Sequence, residues 1–212
     1  MLHKETVSTA TWDLLIRMMQ DDILSQFILV GGTSLALQLG HRLSVDIDLF
    51  SAEPFDEVQL SEYLQKNYGL ELDFIDRHTI KGEIQGIQID CIAHQYPWVA
   101  DPTTEESVRL ASIPDIAAMK LNAVSGNGTR IKDFIDIAYL SSVLSFQEML
   151  DAYMQKYHAN PVIPIKALTF WEDIRFDEPV KMMDTATFQW KKIASRLTQM
   201  QANPKKKFGR IL

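Results

Sequence analysis

The order of the apolar segments predicts an α+β protein in which a small mixed sheet with flanking helices is followed by a helical lobe. Strand and helix patterns alternate through the first half, and then two or three strand patterns follow one another as in hairpins. From about residue 110 onward the patterns are mainly helical. Alternation followed by consecutive strands favours a mixed sheet over a doubly wound parallel one. We therefore predict two domains, residues 1–110 and residues 111–212.

The first half holds the predicted sheet. The predicted strands are residues 27–30, residues 44–50, and two or three within residues 70–94, with Gly82 and Gly86 near the turns. The predicted helices are residues 8–26, 33–39 and 56–69, which are identified by apolar residues at helical spacing and by capping residues. The last of these helices ends at Gly69, as a left-handed C-terminal residue would allow.

The second half reads as a series of helices separated by short loops. One helix starts near Pro114, because proline is favoured in a first helical turn. Residues 125–129 form a Gly-rich and Ser-rich loop. Further helices are predicted over residues 130–144, 145–158, 163–170 and 185–201.

The composition indicates a soluble, cytoplasmic globular protein. Hydrophobic residues make up 46% and charged residues 23% of the chain, and no apolar run approaches the ~20 residues of a membrane helix. The start of the chain has no signal-peptide core. Cys91 is the single cysteine and excludes an internal disulfide, so we expect it to be a small buried apolar group.

The charge balance argues against specific duplex DNA binding. The formal net charge is −7 and the isoelectric point is near 5.2, whereas dedicated DNA-binding proteins are usually basic. The one dense basic run is residues 204–210. We expect this run to be a solvated, mobile tail, and the alternative is a contact with a phosphate backbone.

Two aspartates interrupt the apolar strand pattern of residues 44–50. Residues two apart on a strand point the same way, so Asp46 and Asp48 are expected on one face and Val45, Ile47 and Leu49 on the other. A divalent cation between the two carboxylates would relieve their repulsion, and such hard oxygen ligands suit Mg²⁺. The alternative is a solvated edge strand with two surface charges.

A glycine turn lies just upstream of these aspartates. Gly31, Gly32, Thr33 and Ser34 stand between a predicted strand and a predicted helix. Glycines permit close backbone approach, and the N–H groups at a helix start attract anions, so this turn is a candidate phosphate site. It lacks the Gly-Lys-[Ser/Thr] of a P-loop, and the alternative is a simple tight turn.

Asp90 is a third acid in an apolar strand pattern. If its strand neighbours that of Asp48, Asp90 would complete a metal triad with Asp46 and Asp48 or act as general base on an attacking hydroxyl. The alternative is an isolated carboxylate at a strand end.

The run "LVGGTSLALQLGHRLSVDIDLF" resembles the opening motif of DNA polymerase β-like nucleotidyltransferases, in particular the AbiEii/AbiGii-type toxin branch. The resemblance extends to about residue 140. It implies a polymerase-β-like fold and a Mg²⁺- or Mn²⁺-dependent transfer of a nucleoside monophosphate from an NTP to an acceptor hydroxyl. Within the motif, Arg42 is a candidate for neutralising the triphosphate or pairing with an acid, and Ser44 is expected on the face of Asp46.

The family also has a lysine on a helix and a downstream motif resembling Lys-Asp-x-x-Asp. The counterparts here are Lys120 as a nucleotide ligand, and Asp133 or Asp136 as an essential acid, a choice that the sequence leaves open. Lys120 is in phase with an apolar stripe, so its ammonium either extends to solvent or faces a cleft, and the alternative to a nucleotide ligand is a surface lysine. Asp133 is expected on a partly buried face, whereas Asp136 by local spacing alone would form a surface ion pair with Lys132. His41 is assigned no chemistry.

The resemblance also implies partners. An RNA acceptor such as tRNA and a cognate antitoxin are expected from the family, with a protein or small-molecule acceptor equally consistent with the residues. The rival interpretation is a non-catalytic module with the same fold that binds nucleotide or docks an antitoxin.

Overall fold

A computed structural model describes residues 1–183 and 188–211, and the chain divides into two compact units. The first unit comprises Met1–Gly40, Ser44–Trp98 and Pro102–Ala111. The second comprises His41–Leu43, Val99–Asp101 and Ser112–Leu212. Two short segments thus belong to the second unit although they interrupt the first along the chain.

The first unit is built on a seven-stranded mixed sheet. Its strands are β1 (Ile28–Leu29), β2 (Ile47–Ser51), β3 (Glu71–Asp76), β4 (Thr79–Ile84), β5 (Ile87–Ala93), β6 (Thr103–Glu105) and β7 (Val108–Leu110). Their order across the sheet is β3-β4-β5-β2-β1-β7-β6. The pairs β2/β5 and β1/β7 are parallel, and the other pairs are antiparallel. The predicted mixed sheet is confirmed, and β6 and β7 are additions to it.

Three α-helices accompany the sheet: α1 (Thr9–Met19), α2 (Gly31–Leu39) and α3 (Glu57–Tyr68). The Ser8 hydroxyl caps α1, the Asp56 carboxylate caps α3, and α3 ends at Gly69 in the left-handed conformation. Apolar side chains from these helices and from one face of the sheet form a common core. Its fully buried members include Leu15, Met18, Leu29, Leu37, Ile47, Leu64 and Cys91.

Three local predictions about strands are wrong. Gly82 lies within β4 and not at a turn, and a Cβ atom there would lie 2.3 Å from the Glu71 carbonyl oxygen. This glycine therefore permits the close approach of β3 near its bulge. Asp46 precedes β2, which starts at Ile47. Val45 is 58% exposed, so the predicted apolar face does not extend that far.

The second unit contains α4 (Ile113–Gly126), α5 (Ile131–Leu140), α6 (Phe146–Tyr157), α7 (Val162–Ala167) and α8 (Trp190–Ala202). Ser112 caps α4 with Pro114 in its first turn, and Ser145 and Glu148 form a capping box on α6. The predicted helix over residues 185–201 begins at residues 185–187, which lie outside the described residues. None of the helices in the described part of the chain is long and apolar enough to cross a membrane.

A buried ion pair fixes the short segment at residues 99–101 within the second unit. Lys156 Nζ lies 2.8 Å from Asp115 Oδ1, and both side chains are fully buried. The same carboxylate accepts the N–H groups of Val99 and Ala100 at 3.0 and 3.2 Å. The Lys156 ammonium offsets the cost of burying the Asp115 charge. The two main-chain hydrogen bonds then attach residues 99–101 to Asp115.

Candidate active site

Residues 31–34 follow β1 as predicted, but they form the first turn of α2 and not a turn that precedes the helix. Gly31 has φ of +68°, a conformation that favours glycine, and it begins α2. The Val30 N–H donates to the Asp48 carbonyl oxygen at 2.9 Å, so β2 runs directly beside the turn. A Cβ atom at Gly31 would lie 2.1 Å from Asp48 Oδ2. The missing side chain therefore provides the space in which the Asp48 carboxylate sits against the start of α2.

Asp48 and Asp90 are neighbours in the sheet. They are registered partners on the parallel strands β2 and β5, which places their Cα atoms about 4.8 Å apart. On β4, Lys81 is the registered partner of Asp90, and the Lys81 ammonium forms an ion pair with the Asp90 carboxylate. Lys81, Asp90 and Asp48 thus form one row across three strands, opposite the face that packs into the core.

The three predicted metal ligands do not form a three-ligand group. Within residues 1–183 and 188–211, no set of three His, Cys, Asp or Glu side chains converges closely enough to hold a metal ion. Asp46 lies before β2 and Asp48 within it, both half-buried, while the Asp90 carboxylate is paired with Lys81. Two carboxylates meet the needs of Mg²⁺ when water and phosphate complete its shell, so Asp46 and Asp48 fit this ion without a third acid.

The hydroxyls predicted to contact phosphate are used inside the protein. Thr33 and Ser34 are fully buried. The Thr33 hydroxyl is shared between the Ser44 hydroxyl, 2.8 Å away, and the main-chain carbonyl of Asp46. The Ser34 hydroxyl accepts a bond from Gln38 at 3.2 Å. The Thr33 hydroxyl therefore ties α2 to the segment that leads into β2, whereas the Ser34 hydroxyl bonds within α2.

A second cluster of charged side chains lies inside the second unit and is centred on Asp136. Arg42 Nε lies 2.7 Å from Asp136 Oδ1 and Arg42 Nη2 lies 2.9 Å from Oδ2, a bidentate arrangement. Lys120 Nζ lies 2.7 Å from Asp136 Oδ2 and 2.6 Å from Asp133 Oδ1. His41 Nε2 lies 2.9 Å from Asp136 Oδ1. All five side chains are buried.

The charges of this cluster shift the pKa values of its members. Burial by itself raises the pKa of Asp136, but the Arg42 and Lys120 cations and the His41 hydrogen bond hold it well below its ordinary value. Burial lowers the pKa of Lys120, and the carboxylates of Asp136 and Asp133 outweigh that effect and raise it. Asp136 and Lys120 are therefore an ionised pair at neutral pH.

His41 differs from its neighbours because burial lowers its pKa more than Asp136 raises it, and Arg42 and Lys120 lower it further. The neutral ring carries its proton on Nε2, which faces the Asp136 carboxylate. Within the described part of the chain, His41 Nδ1 and Asp133 Oδ2 are buried without a hydrogen-bond partner. The cluster therefore retains two acceptor atoms that its own side chains leave unused.

The structure corrects several predictions about this cluster. Lys120 is 7% exposed, which excludes the alternative of a surface lysine, and its role as a nucleotide ligand stays a prediction. Asp136 is fully buried, and Lys132 pairs instead with Glu178 at 2.6 Å. Arg42 adopts the second of its predicted roles, that of pairing with an acid. Cys91 is buried as predicted, and burial raises the pKa of its thiol to about 12.

Sequence reasoning missed His41 and Lys81. His41 gave no usable signal, because its partner Asp136 is 95 residues away in the chain. Lys81 did have a signal in the sequence, which is the alternation of β4. Residues 79, 81 and 83 alternate with buried residues and so face away from the core.

A mixed sheet with acids of neighbouring strands beside a glycine-rich helix start is the arrangement that the sequence predicted for a nucleotidyltransferase, and the comparisons with known proteins agree on this class of enzyme. The profile of the family described as nucleotidyl transferase AbiEii toxin, type IV TA system, matches residues 13–110 and 69–211. The chain belongs to this AbiEii nucleotidyltransferase family, which confirms the resemblance seen in the sequence and the class of enzyme.

Relatives and solved structures extend this result. An uncharacterised protein of Aquifex aeolicus (strain VF5), aq_aa25, is 29% identical over 160 residues, which cover 72% of this chain and 77% of the relative. A candidate nucleotidyltransferase from H. pylori superposes with a TM-score of 0.57 at 17% identity, over 92% of this chain and 94% of that one. The antibiotic-resistance factor ANT(2'')-Ia superposes with a TM-score of 0.52 at 16% identity, over 69% and 91%. These structures show that the fold is shared.

Proposed function

We propose that this nucleotidyltransferase moves a nucleoside monophosphate from an NTP to an acceptor hydroxyl in a reaction that depends on Mg²⁺ or Mn²⁺ and releases pyrophosphate. The observation that carries the proposal is the contact between the Gly31 turn and the Asp48 carboxylate. A phosphate chain bound at the turn would lie next to the carboxylates that bind metal. In this proposal the NTP is the substrate, and the carboxylates and the NTP phosphates together bind the metal.

The glycine turn binds the phosphates through its main chain. Helix α2 begins at Gly31, and main-chain N–H groups at a helix start favour a bound anion. Gly31 and Gly32 allow the phosphates to approach the backbone closely. Thr33, Ser34 and Ser44 act indirectly, because their hydroxyls hold the turn in place.

Asp46 and Asp48 are the proposed metal ligands. When bound, a divalent cation offsets the charge of the triphosphate and aligns the attacking oxygen. Asp90 we assign as the base that accepts the proton of the acceptor hydroxyl, rather than as a third ligand. The Lys81 ammonium argues against a third ligand, because it already offsets the charge of Asp90 beside Asp48.

In the second unit, we propose that Asp133 is the essential acid and that Asp136 has a structural role. Asp136 is bound by Arg42, Lys120 and His41, whereas one oxygen of Asp133 has no partner within the described residues. The nucleotide-binding role expected of Lys120 would then be exerted together with Asp133, its partner at 2.6 Å.

The biological role that the family suggests is that of the toxin in a type IV toxin–antitoxin pair, with an RNA acceptor such as tRNA and a cognate antitoxin as partners. The alternative function is a non-catalytic module that binds nucleotide or docks an antitoxin. The paired carboxylates beside the turn favour catalysis, because a docking module has no need of a metal-binding pair.

Transfer of label from each α-labelled NTP, with Mg²⁺, into cellular RNA, protein and small-molecule fractions tests the proposal. We expect label in one fraction, and we expect it to be absent with Asp46→Ala. Asp73→Ala, which removes an exposed acid of β3, is the matched control and should retain transfer. Label that persists with Asp46→Ala would overturn the metal assignment.

A thermal unfolding measurement separates the alternatives when no label is found. Ligand at ~100 times its dissociation constant adds ~2.7 kcal/mol to the stability of the folded protein. An NTP- and Mg²⁺-dependent rise in the unfolding temperature without transfer would support a nucleotide-binding module. A protein that shows neither transfer nor stabilisation would contradict the proposed function.

A further inference from the structure

Charge is distributed very unevenly along this acidic chain. Residues 185–212 contain seven Lys and Arg residues and no Asp or Glu. The preceding 184 residues hold the remaining 14 Lys and Arg residues and all 28 acids. The basic residues are Lys191, Lys192, Arg196, Lys205, Lys206, Lys207 and Arg210. A segment of charge +7 in a protein of net charge −7 is a feature that the transfer reaction does not require.

The basic segment is folded onto the second unit, which contradicts the expectation of a mobile tail. Phe208 is 8% exposed, and its N–H donates to the Ser141 carbonyl oxygen at 2.8 Å. Arg196 Nη1 on α8 donates to the Ser141 hydroxyl and to the Gly209 carbonyl, each at 2.9 Å. The Lys206 ammonium and the Arg196 guanidinium each lie 4.9 Å from the centre of the Phe208 ring. The tail therefore brings further cations next to those of α8.

The basic residues of α8 surround a concave surface. A cavity of about 330 Å³ is lined by Lys191, Lys192, Ser195, Arg196, Gln199 and Ile211. Lys192, Arg196 and Gln199 are spaced at helical positions i, i+4 and i+7 and so follow one face of α8. Lysine, arginine, hydroxyl and amide groups are the donors that bind the phosphates and sugars of nucleic acids.

We propose that this surface, defined by the six lining residues and the neighbouring Lys206, binds the phosphate backbone of an RNA. The idea that this RNA is the acceptor rests on the proposed transfer reaction. RNA binding itself can be measured without any transfer. Because the rest of the chain has a net negative charge and repels RNA, a basic surface also fixes the face on which RNA binds.

The apolar residues of α8 favour RNA over a membrane surface as the partner. A helix that lies on a membrane inserts an exposed apolar face below its basic residues. Ile193, Leu197 and Met200 are at most 3% exposed and pack inside the unit. Within residues 188–211, no large apolar side chain is exposed.

Fluorescence anisotropy with a labelled single-stranded RNA of about 20 nucleotides, longer than the ~4–16 that one binding domain covers, tests the proposal. The wild-type protein should bind with an affinity that falls steeply between about 50 and 200 mM salt. The double variant Lys191→Gln/Lys192→Gln should bind about tenfold more weakly at ~100 mM salt, with the salt slope reduced by about 1.4 for two lost phosphate contacts.

Matched variants make the result specific. Lys66→Gln/Lys166→Gln removes the same charge from exposed positions on α3 and α7 and should bind RNA like the wild type. RNA binding and transfer are measured separately, so a wild-type protein that binds RNA but transfers no label would count against the catalytic proposal alone. Equal binding by the two double variants, or no RNA binding by the wild type, would overturn the proposed surface. Binding to vesicles of anionic phospholipid in place of RNA would also overturn it.

Discussion

Asp48 and Asp90 are registered neighbours on two parallel strands, and the Lys81 ammonium on a third strand pairs with Asp90. Two carboxylates at this spacing repel each other, and the ion pair removes part of that repulsion from one side. The two acids therefore differ in their surroundings: Asp48 lies against the glycine turn, and Asp90 lies beside a cation. This asymmetry leads us to expect different functions for them.

Substitution by asparagine should separate the two functions. Asp46→Asn and Asp48→Asn should each abolish the Mg²⁺-dependent rise in unfolding temperature that NTP produces, because a neutral amide is a poor ligand for Mg²⁺. Asp90→Asn should retain that rise and lose transfer by about 100-fold or more, the typical contribution of a general base. Thermal unfolding with and without Mg²⁺–NTP, together with label transfer, measures both effects. If Asp90→Asn also loses the Mg²⁺-dependent rise, Asp90 is a metal ligand and our assignment is wrong.

Gly31→Ala should impair the turn and the site together. The residue has φ of +68°, and the new Cβ atom would lie 2.1 Å from Asp48 Oδ2, so the carboxylate must move. We expect a loss of more than about 2 kcal/mol of stability from strain and displacement combined, with loss of NTP binding. The free energy of unfolding in urea and NTP-dependent stabilisation are the measurements.

Gly69→Ala is the matched control for the glycine turn. Gly69 has nearly the same conformation, with φ of +71°, but no atom lies within 4 Å of its added Cβ. It should lose only about 1 kcal/mol from the left-handed conformation and retain NTP binding. Equal losses in the two variants would show that the contact with Asp48 has no effect of its own.

The sequence predicted most of the sheet because its strands and helices have clear periodicities. β2 and β5 place apolar residues at every second position, and α1 and α3 have both helical spacing and caps. β6 and β7 escaped prediction because each has three residues, which is too short for a recognisable alternation. Gly82 was misplaced because a glycine within a strand has the same local signature as a glycine in a turn.

The cluster around Asp136 illustrates why the ion pairs of the second unit could not be predicted. Lys132 stands four residues before Asp136, the spacing of a surface ion pair on a helix. The actual partner Arg42 is 94 residues away in the chain and comes from a segment that interrupts the first unit. Local spacing cannot reveal a partner brought close only by the tertiary structure. The acids near the glycine turn were predicted because their strand patterns are local.

Asp136→Asn should destabilise the second unit much more than Asp133→Asn. Removal of the Asp136 charge leaves the buried Arg42 and Lys120 cations without their shared partner, at a cost of about 3–5 kcal/mol. Asp133 accepts a bond from Lys120 through one oxygen, and Asp136 would still pair with that lysine, so we expect a loss of about 1–2 kcal/mol. Unfolding in urea followed by tryptophan fluorescence measures both, since Trp171 and Trp190 lie in this unit. Similar losses in the two variants would contradict the structural role of Asp136.

His41 should make the stability of the protein depend on pH in mildly acidic solution. The folded protein holds the pKa of His41 below its ordinary value, so the unfolded chain binds this proton more readily. The stability due to the neutral ring is therefore fully present above about pH 6.5 and is lost as the pH falls below that value.

The variant His41→Gln tests this expectation, because its side chain keeps a donor toward Asp136 but does not titrate. Between about pH 6.5 and 5.5, the free energy of unfolding should fall more in the wild type than in this variant, by at most about 1.4 kcal/mol per pH unit. His3→Gln, which alters an imidazole with 41% of its side chain exposed, should retain the wild-type pH dependence. If the wild type and His41→Gln lose stability in parallel as the pH falls, His41 is not the neutral, buried group that its contacts indicate.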